Sequence, residues 1–278
     1  MEQYKEMNTI GFQLVVIMAF ILLSATNVLP SEATEQPFTA QKTQRLNKED
    51  KKDIGMSQQE RERVEAAADY FVKRFSETLN FGIVFAETSV PDAIQRLKLA
   101  GFFKGININQ KLVEQLDDSS LKRSYFAYMS FYYLKAVYDL SIRCPKTNDS
   151  QTDSCTPLDV IKIISASRYQ NLLSNEGSGE GPEVTTSKEL EDYIADLNKI
   201  ASLYRKHLPD KAFDSSIYKA NVKRLNDYKS SPYRVECGLP EFGVDENVKV
   251  YVVEKDIFIF FFIEQNGEMK VLTLGMGN

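Results

Sequence analysis

Three groups of carboxylates stand where acid–base chemistry could be built. Glu87 and Asp92 flank a predicted turn, Asp117 and Asp118 stand at the start of a helix, and Glu189, Glu191 and Asp192 open another. Glycoside hydrolysis needs two carboxyls held about 5–10 Å apart across a cleft, one able to give a proton and one ionised. Such a pair would make the chain a carboxylate-dependent hydrolase with a cleft in its helical part. A competing role is purely electrostatic. An acidic side chain in a first helical turn complements the positive end of the helix dipole, and this role fits all three groups. His207, the single histidine, follows Arg205 and Lys206 at a predicted helix end. There a protonated imidazole is stabilised by the last carbonyls, which accounts for it without catalysis. A Ser-His-Asp triad would need a serine on a strained, exposed turn, and the sequence holds no G-x-S-x-G. It holds no G-x-G-x-x-G and no P-loop either, since Gly177 to Gly181 lacks the following Lys and Ser/Thr. No catalytic residue is assigned, no cofactor is expected, and the reading leans to a non-enzymatic protein.

The three cysteines offer redox rather than metal chemistry, because with one histidine they match no zinc ligand pattern. Cys144 and Cys155 lie at the two ends of the loop PKTNDSQTDS between two predicted helices. Antiparallel helices would bring the loop ends together, and a bridge there stabilises by up to about 3 kcal/mol on loop entropy in an oxidising compartment. Cys237 is left over, before Gly238 and Pro240. The one stretch with the chemistry of a binding surface is tyrosine-rich, with Tyr125, Tyr128 and Tyr132 as the candidate ligand surface. Tyrosine pairs flat apolar area with a hydroxyl, which suits sugar, lipid or peptide. Aromatics at helical spacing more often form core, and the chain has no tryptophan for sugar stacking.

These residues hang on a legible set of elements. Ser57 and Glu60 form an S-x-x-E capping box ahead of Val64, Ala68, Phe71, Phe75 and Leu79 at helical spacing, with Asn80 and Gly82 ending that helix. A helix opens near Pro91, a short one spans about Gln110 to Leu116, and Asp117 to Ser120 cap the tyrosine-rich helix to Ile142. That helix is apolar nearly all round, which places it in the middle of a bundle. Thr156 as cap and Pro157 at the first position start another helix running to Leu172. Thr186 and Glu189 form a second capping box, and a last helix runs from about Ala212 to Tyr228. After Pro232 the period changes. Val248–Val253, Ile257–Ile263 and Met269–Leu274 read as strands of an antiparallel meander, joined at the second turn by Asn266-Gly267, with a fourth strand near Tyr233–Cys237. The strand IFIFFFI is apolar on both faces, so both must be covered.

The fold class expected is therefore α+β, mainly α: about six helices in residues 57–230, then a three- to four-stranded meander in 231–278 packed on them. The opening helix with its acidic turn and the closing hairpin FFFIEQNGEMKVLTLG resemble the two ends of nuclear-transport-factor-type α+β domains. The resemblance covers those ends alone, the helical stretch between them is far longer than that fold holds, and no residue role follows from it.

Address comes from the front of the chain. Leu14 to Leu23 is wholly apolar and is preceded by a short polar head with Lys5. That length suits the core of a signal peptide, whereas a bilayer span needs roughly 20 residues. Residues 1–29 are thus read as a signal peptide or, if uncleaved, as a membrane anchor through residues 10–29. Residues 30–56 mix both charge signs with little apolar content and are read as a disordered tether. The formal net charge of −5 with no basic block argues against nucleic acid as a partner. Together these features point to an exported or membrane-tethered protein that binds a protein or small ligand of the cell envelope. The alternatives are the hydrolase above and a structural component that assembles through its C-terminal strands, since an open sheet edge accepts another strand.

Overall fold

The computed structural model describes residues 55–144, 155–169, 182–227 and 232–276. The leader and all of the tether up to residue 54, the loop 145–154, Leu172, Gly177–Gly181 and Tyr228 lie outside the described residues. Nine helices are present among those described: α1 (Gln58–Thr78), α2 (Phe81–Thr88), α3 (Ala93–Leu99), α4 (Phe102–Gly105), α5 (Gln110–Gln115), α6 (Asp118–Ser141), α7 (Leu158–Ala166), α8 (Ser187–His207) and α9 (Ser216–Asp227). A four-stranded antiparallel meander follows in the order β1 (Tyr233–Leu239), β2 (Val244–Lys255), β3 (Phe258–Gln265) and β4 (Glu268–Met276). The mainly helical α+β class with its C-terminal meander is as the sequence implies. No helix of the described residues is long and apolar enough to cross a membrane.

Helix starts follow local chemistry. Ser57 Oγ accepts from the Glu60 amide at 3.2 Å while the Ser57 amide donates to Glu60 Oε2 at 2.9 Å, so the capping box closes. Thr186 and Glu189 close the second one in the same way, and Asp117 caps α6 by accepting from the Ser120 amide at 2.8 Å. Two expectations are corrected. Asn80 and Gly82 do not simply end the first helix: Leu79 turns left-handed at φ 48°, and Asn80 then accepts from the Ile83 amide to cap a new helix, α2. Gly82 belongs inside α2, where the Phe126 ring would stand 2.8 Å from an added Cβ. At α7, Pro157 itself occupies the cap position with no side-chain cap bond, so Thr156 is not the cap and the helix closes at Ala166.

The bundle and the sheet meet in an aromatic seam. Phe258 and Phe260 of β3 face Phe71 of α1 with ring centroids 5.5 and 5.3 Å away, and Tyr133 of α6 approaches Phe258 at 4.8 Å. Phe71, Phe75, Phe81, Phe258 and Phe260 are fully buried. As expected from its all-round apolar surface, α6 is central, packing on α2, α8 and α9. The Asn266-Gly267 turn takes positive φ at both residues (53° and 82°), the conformation of a tight hairpin turn. Facing residues in register, Arg234 with Val252 and Glu254 with Ile259, share the other face of the sheet with Phe261.

Glu60 ties α1 to the sheet. Its carboxylate accepts from Lys249 Nζ and the Tyr251 hydroxyl, both at 2.8 Å. These donors, led by Lys249, lower its pKa from 4.5 to about 2. A carboxyl held low in the folded state stabilises fully above its unfolded pKa and loses that contribution as pH falls through the folded one. Urea midpoints measured against pH should therefore drop between pH 4.5 and about 2, with a shallower drop in Glu60→Gln.

Candidate functional site

Of the carboxylates singled out by sequence, all but Asp192 are engaged one by one in local pairs. Arg74 grips Glu87 in bidentate fashion at 3.1 Å from both Nε and Nη2. Arg96 holds Asp92 at 2.9 Å. Asp117 is a helix cap, Asp118 accepts from Gln95, and Arg123 holds both oxygens of Glu191. Glu189 serves its capping box and Arg168. The resulting shifts run one way. Arg74 lowers Glu87, Ser120 lowers Asp117, Arg123 lowers Glu191, and the Thr185 and Arg168 donors lower Glu189 to about 2. A general acid in sugar chemistry needs the opposite shift. Neither of the two hollows described below is lined by more than one of these carboxylates.

His207 has a partner that local sequence did not suggest. Its Nε2 lies 2.9 Å from both oxygens of Asp159 on α7, with Lys206 at 3.9 Å, so the histidine staples α7 to the end of α8. The imidazole is what lowers Asp159. Nearby, Cys144 and Cys155 come to bonding distance, with sulfurs 2.09 Å and Cα atoms 5.8 Å apart. The Tyr138 hydroxyl donates to the Cys155 carbonyl at 2.8 Å. Ser167 donates to Asp196 at 2.6 Å. The start of α7 is thus fixed from three sides.

The tyrosines of α6 are mostly core. Tyr125 is fully buried, and its hydroxyl has no hydrogen-bond partner among the described residues, so it presents no surface to a ligand. Desolvation accordingly pushes its pKa up. Tyr128 and Tyr132 are half-buried and stack on each other at 5.8 Å, with Phe102 against Tyr128.

Two hollows were not foreseen. A cleft of about 450 Å³ lies between α1, α9 and the β2–β3 turn, floored by Val72, Phe213, Tyr218 and Val222, with Lys223 and Asp256 at its margin. The Tyr218 hydroxyl beneath it is buried without a partner among the described residues, so it adds no accessible polar group. Specific small-molecule sites place a few convergent polar groups on an apolar lining; here Ser76, Lys219 and Asn226 also line the cleft, with Ser76 donating to the Lys73 carbonyl and Lys219 paired with Asp214. The second hollow, about 150 Å³, carries Glu87 already bound to Arg74. No group of three His, Cys, Asp or Glu able to hold a metal occurs among the described residues.

The remaining reactive feature is the edge of the sheet. The Glu254 amide donates to the Pro232 carbonyl at 2.9 Å, which makes that facing pair a hydrogen-bonded one. Antiparallel ladders alternate, so Arg234 with Val252 and Glu236 with Val250 are bonded pairs too. Val235 and Cys237 fall between them and turn their N–H and C=O away from β2. Among the described residues no strand pairs with that outer side. The opposite edge is different: the Val90 amide donates to the Val271 carbonyl on β4 at 3.0 Å, and the Tyr133 hydroxyl to the Gly275 carbonyl at 3.4 Å. The sequence marked Tyr233–Cys237 as a strand. It carried no signal that this strand is the outermost, which depends on pairing partners 12–20 residues away. Cys237 is exposed as a free thiol on this edge.

No family model matches the chain, and no curated protein or solved structure matches it. The site must therefore be read from its own geometry.

The cysteine geometry makes a direct prediction. Unfolded in denaturant without reductant, the chain should take up alkylating reagent at Cys237 alone, and at all three cysteines after reduction. Intact-mass analysis reads the difference.

Proposed function

We propose that this chain is an exported or membrane-tethered, non-enzymatic protein that binds a protein partner in the cell envelope by adding an extended segment to the open β1 edge. The observation that carries this reading is the pair of outward-turned backbone groups on Val235 and Cys237. Strand addition draws its affinity from such groups and its selectivity from alternate side chains. On β1 these alternate between the helix-facing side (Val235, Cys237) and the opposite face (Arg234, Glu236).

The compartment rests on the apolar run Leu14–Leu23, the polar segment after it and the approach of Cys144 to Cys155, which is at home in an oxidising environment. An uncleaved segment 10–29 would anchor the domain to the membrane, and some 25 residues of extended chain between residue 29 and Gly55 would span up to about 80 Å. The hydrolase alternative loses ground because Glu87, Asp117, Glu189 and Glu191 are held ionised by arginines, hydroxyls and amides rather than raised toward protonation. A small ligand in the α1–α9 cleft would meet polar side chains of which Ser76 and Lys219 are already engaged by Lys73 and Asp214.

Cell fractionation with N-terminal sequencing should find the protein in the envelope or the medium, beginning either after the leader or at Met1. A cytosolic location would remove the envelope part of the reading. For the edge itself the probe is a fluorescein-labelled peptide of alternating threonine and valine. Its anisotropy should rise with the intact domain and stay flat with Val235→Pro. That change deletes an outward N–H and leaves the β1–β2 bonds in place. Equal binding by both proteins, or none by either while the wild-type chain is monomeric, overturns strand addition at this edge.

A further inference from the structure

The edge carries a pattern that specifies its own partner. Resting on the strand-addition reading above, we infer that the segment β1 takes is β1 of a second copy of this chain, paired antiparallel about Val235 so that the two sheets run on as one. In that register Val235 lies opposite Val235 of the other copy, as a hydrogen-bonded pair formed by the outward N–H and C=O of each. Arg234 then lies opposite Glu236 of the other copy, and Glu236 opposite its Arg234. These fall at non-hydrogen-bonded positions, where facing side chains come closest. Two such cross-strand charge pairs arise from one two-fold axis.

Neighbouring symmetric registers do not share this match. Centring on Tyr233 sets Arg234 against Pro232. Centring on Cys237 sets Glu236 against Gly238, where φ is +70° and the ladder shifts between Cys237 and Leu239. Gly238 also closes the strand physically, since a Cβ there would meet the Glu246 backbone at 2.8 Å. The matched register is therefore the one that both the ladder and the charges permit.

The charges are placed to serve such a junction. Arg234 Nε lies 2.8 Å from its own Glu236, and Nη1 lies 3.7 Å from Glu254, on the face away from α1. The two-fold axis runs perpendicular to the sheet, so both helical layers fall on one side. α1 lies chiefly over β2, β3 and β4 and reaches β1 at Tyr233, whose hydroxyl donates to Glu65 and whose ring lies under Arg61. Across the junction, β2 and its copy stand three strand spacings apart, about 14 Å, beyond the 8–10 Å at which helices pack. The helices clear each other. Cys237 faces Tyr233 of the second copy in this register, not Cys237, so the assembly needs no disulfide.

Sedimentation equilibrium of the folded domain, with circular dichroism as a check on each variant, tests the inference. The wild-type chain should be a dimer in reductant as well as without it. Arg234→Glu alone and Glu236→Arg alone each set like charges across the junction and should weaken association roughly tenfold or more. The double swap Arg234→Glu with Glu236→Arg should restore it, an outcome that a merely structural role for either residue would not produce. A wild-type monomer at all concentrations, a dimer lost on reduction, or a double swap no better than the singles overturns self-pairing. A monomer that still binds the threonine–valine peptide would sink this inference and leave strand addition standing. A monomer that binds no peptide would remove both.

Discussion

The contact on which the rest of the molecule depends is the meeting of Phe71 and Phe75 with Phe258 and Phe260. These rings lie nearly 190 residues apart in the chain, so their packing joins its first helix to its C-terminal sheet. Each buries on the order of 150–250 Å² and gains further from edge-to-face geometry, as the interplanar angles of 69–87° for these pairs show. The seam fixes α1 across β2 and β3. That placement puts Glu60 over Lys249 and Tyr251, and Lys255 within 2.6 Å of Asp69. It also obliges the chain to double back through α2, so that Val90 reaches β4 and closes one edge of the sheet.

The acidic residues show why composition and spacing alone mislead about catalysis. A carboxylate at a helix start, an arginine one turn or one helix away and a few amide donors make the same local picture whether the site is structural or catalytic. Direction of titration separates them. Desolvation without a cation raises a carboxyl toward the range useful for proton donation, while Arg74, Arg123 and Arg168 do the reverse to Glu87, Glu191 and Glu189. Exposed pairs of this kind contribute little to stability individually. They hold helix ends in place around a core that is already apolar and aromatic.

What could be read from the sequence was what local chemistry determines. Both capping boxes, the Asp117 cap, the Asn-Gly turn and the strand period are properties of a few adjacent residues, and each is realised. The burial of α6 was legible too, because a helix without a polar face has nowhere else to go. The extra helix α2 was missed since asparagine and glycine after an apolar stripe serve equally to stop one helix and to start the next. The partner of His207 was hidden for a different reason. Asp159 is 48 residues away and meets it only after α7 and α8 have packed. Tyr125 illustrates the same limit, because its spacing was visible but the ring that covers it, Phe102 at 5.1 Å, was not.

The edge of a sheet lies at the boundary of what sequence can carry. Strand identity is local, whereas being outermost is a statement about the whole sheet, and β1 becomes an edge only because the meander never returns past it. Edges are usually blunted by charge, proline or a bulge. β1 has some of each, with Pro232 before it, a register shift at Gly238 near its end and Arg234 and Glu236 on one face. Their arrangement matters more than their presence. A like-charged pair would repel any copy of the strand, whereas a basic and an acidic residue flanking one valine repel an in-register parallel copy and complement an antiparallel one. The same two side chains that discourage indiscriminate aggregation therefore select a single orientation and register, which is what distinguishes a specific junction from an unprotected edge.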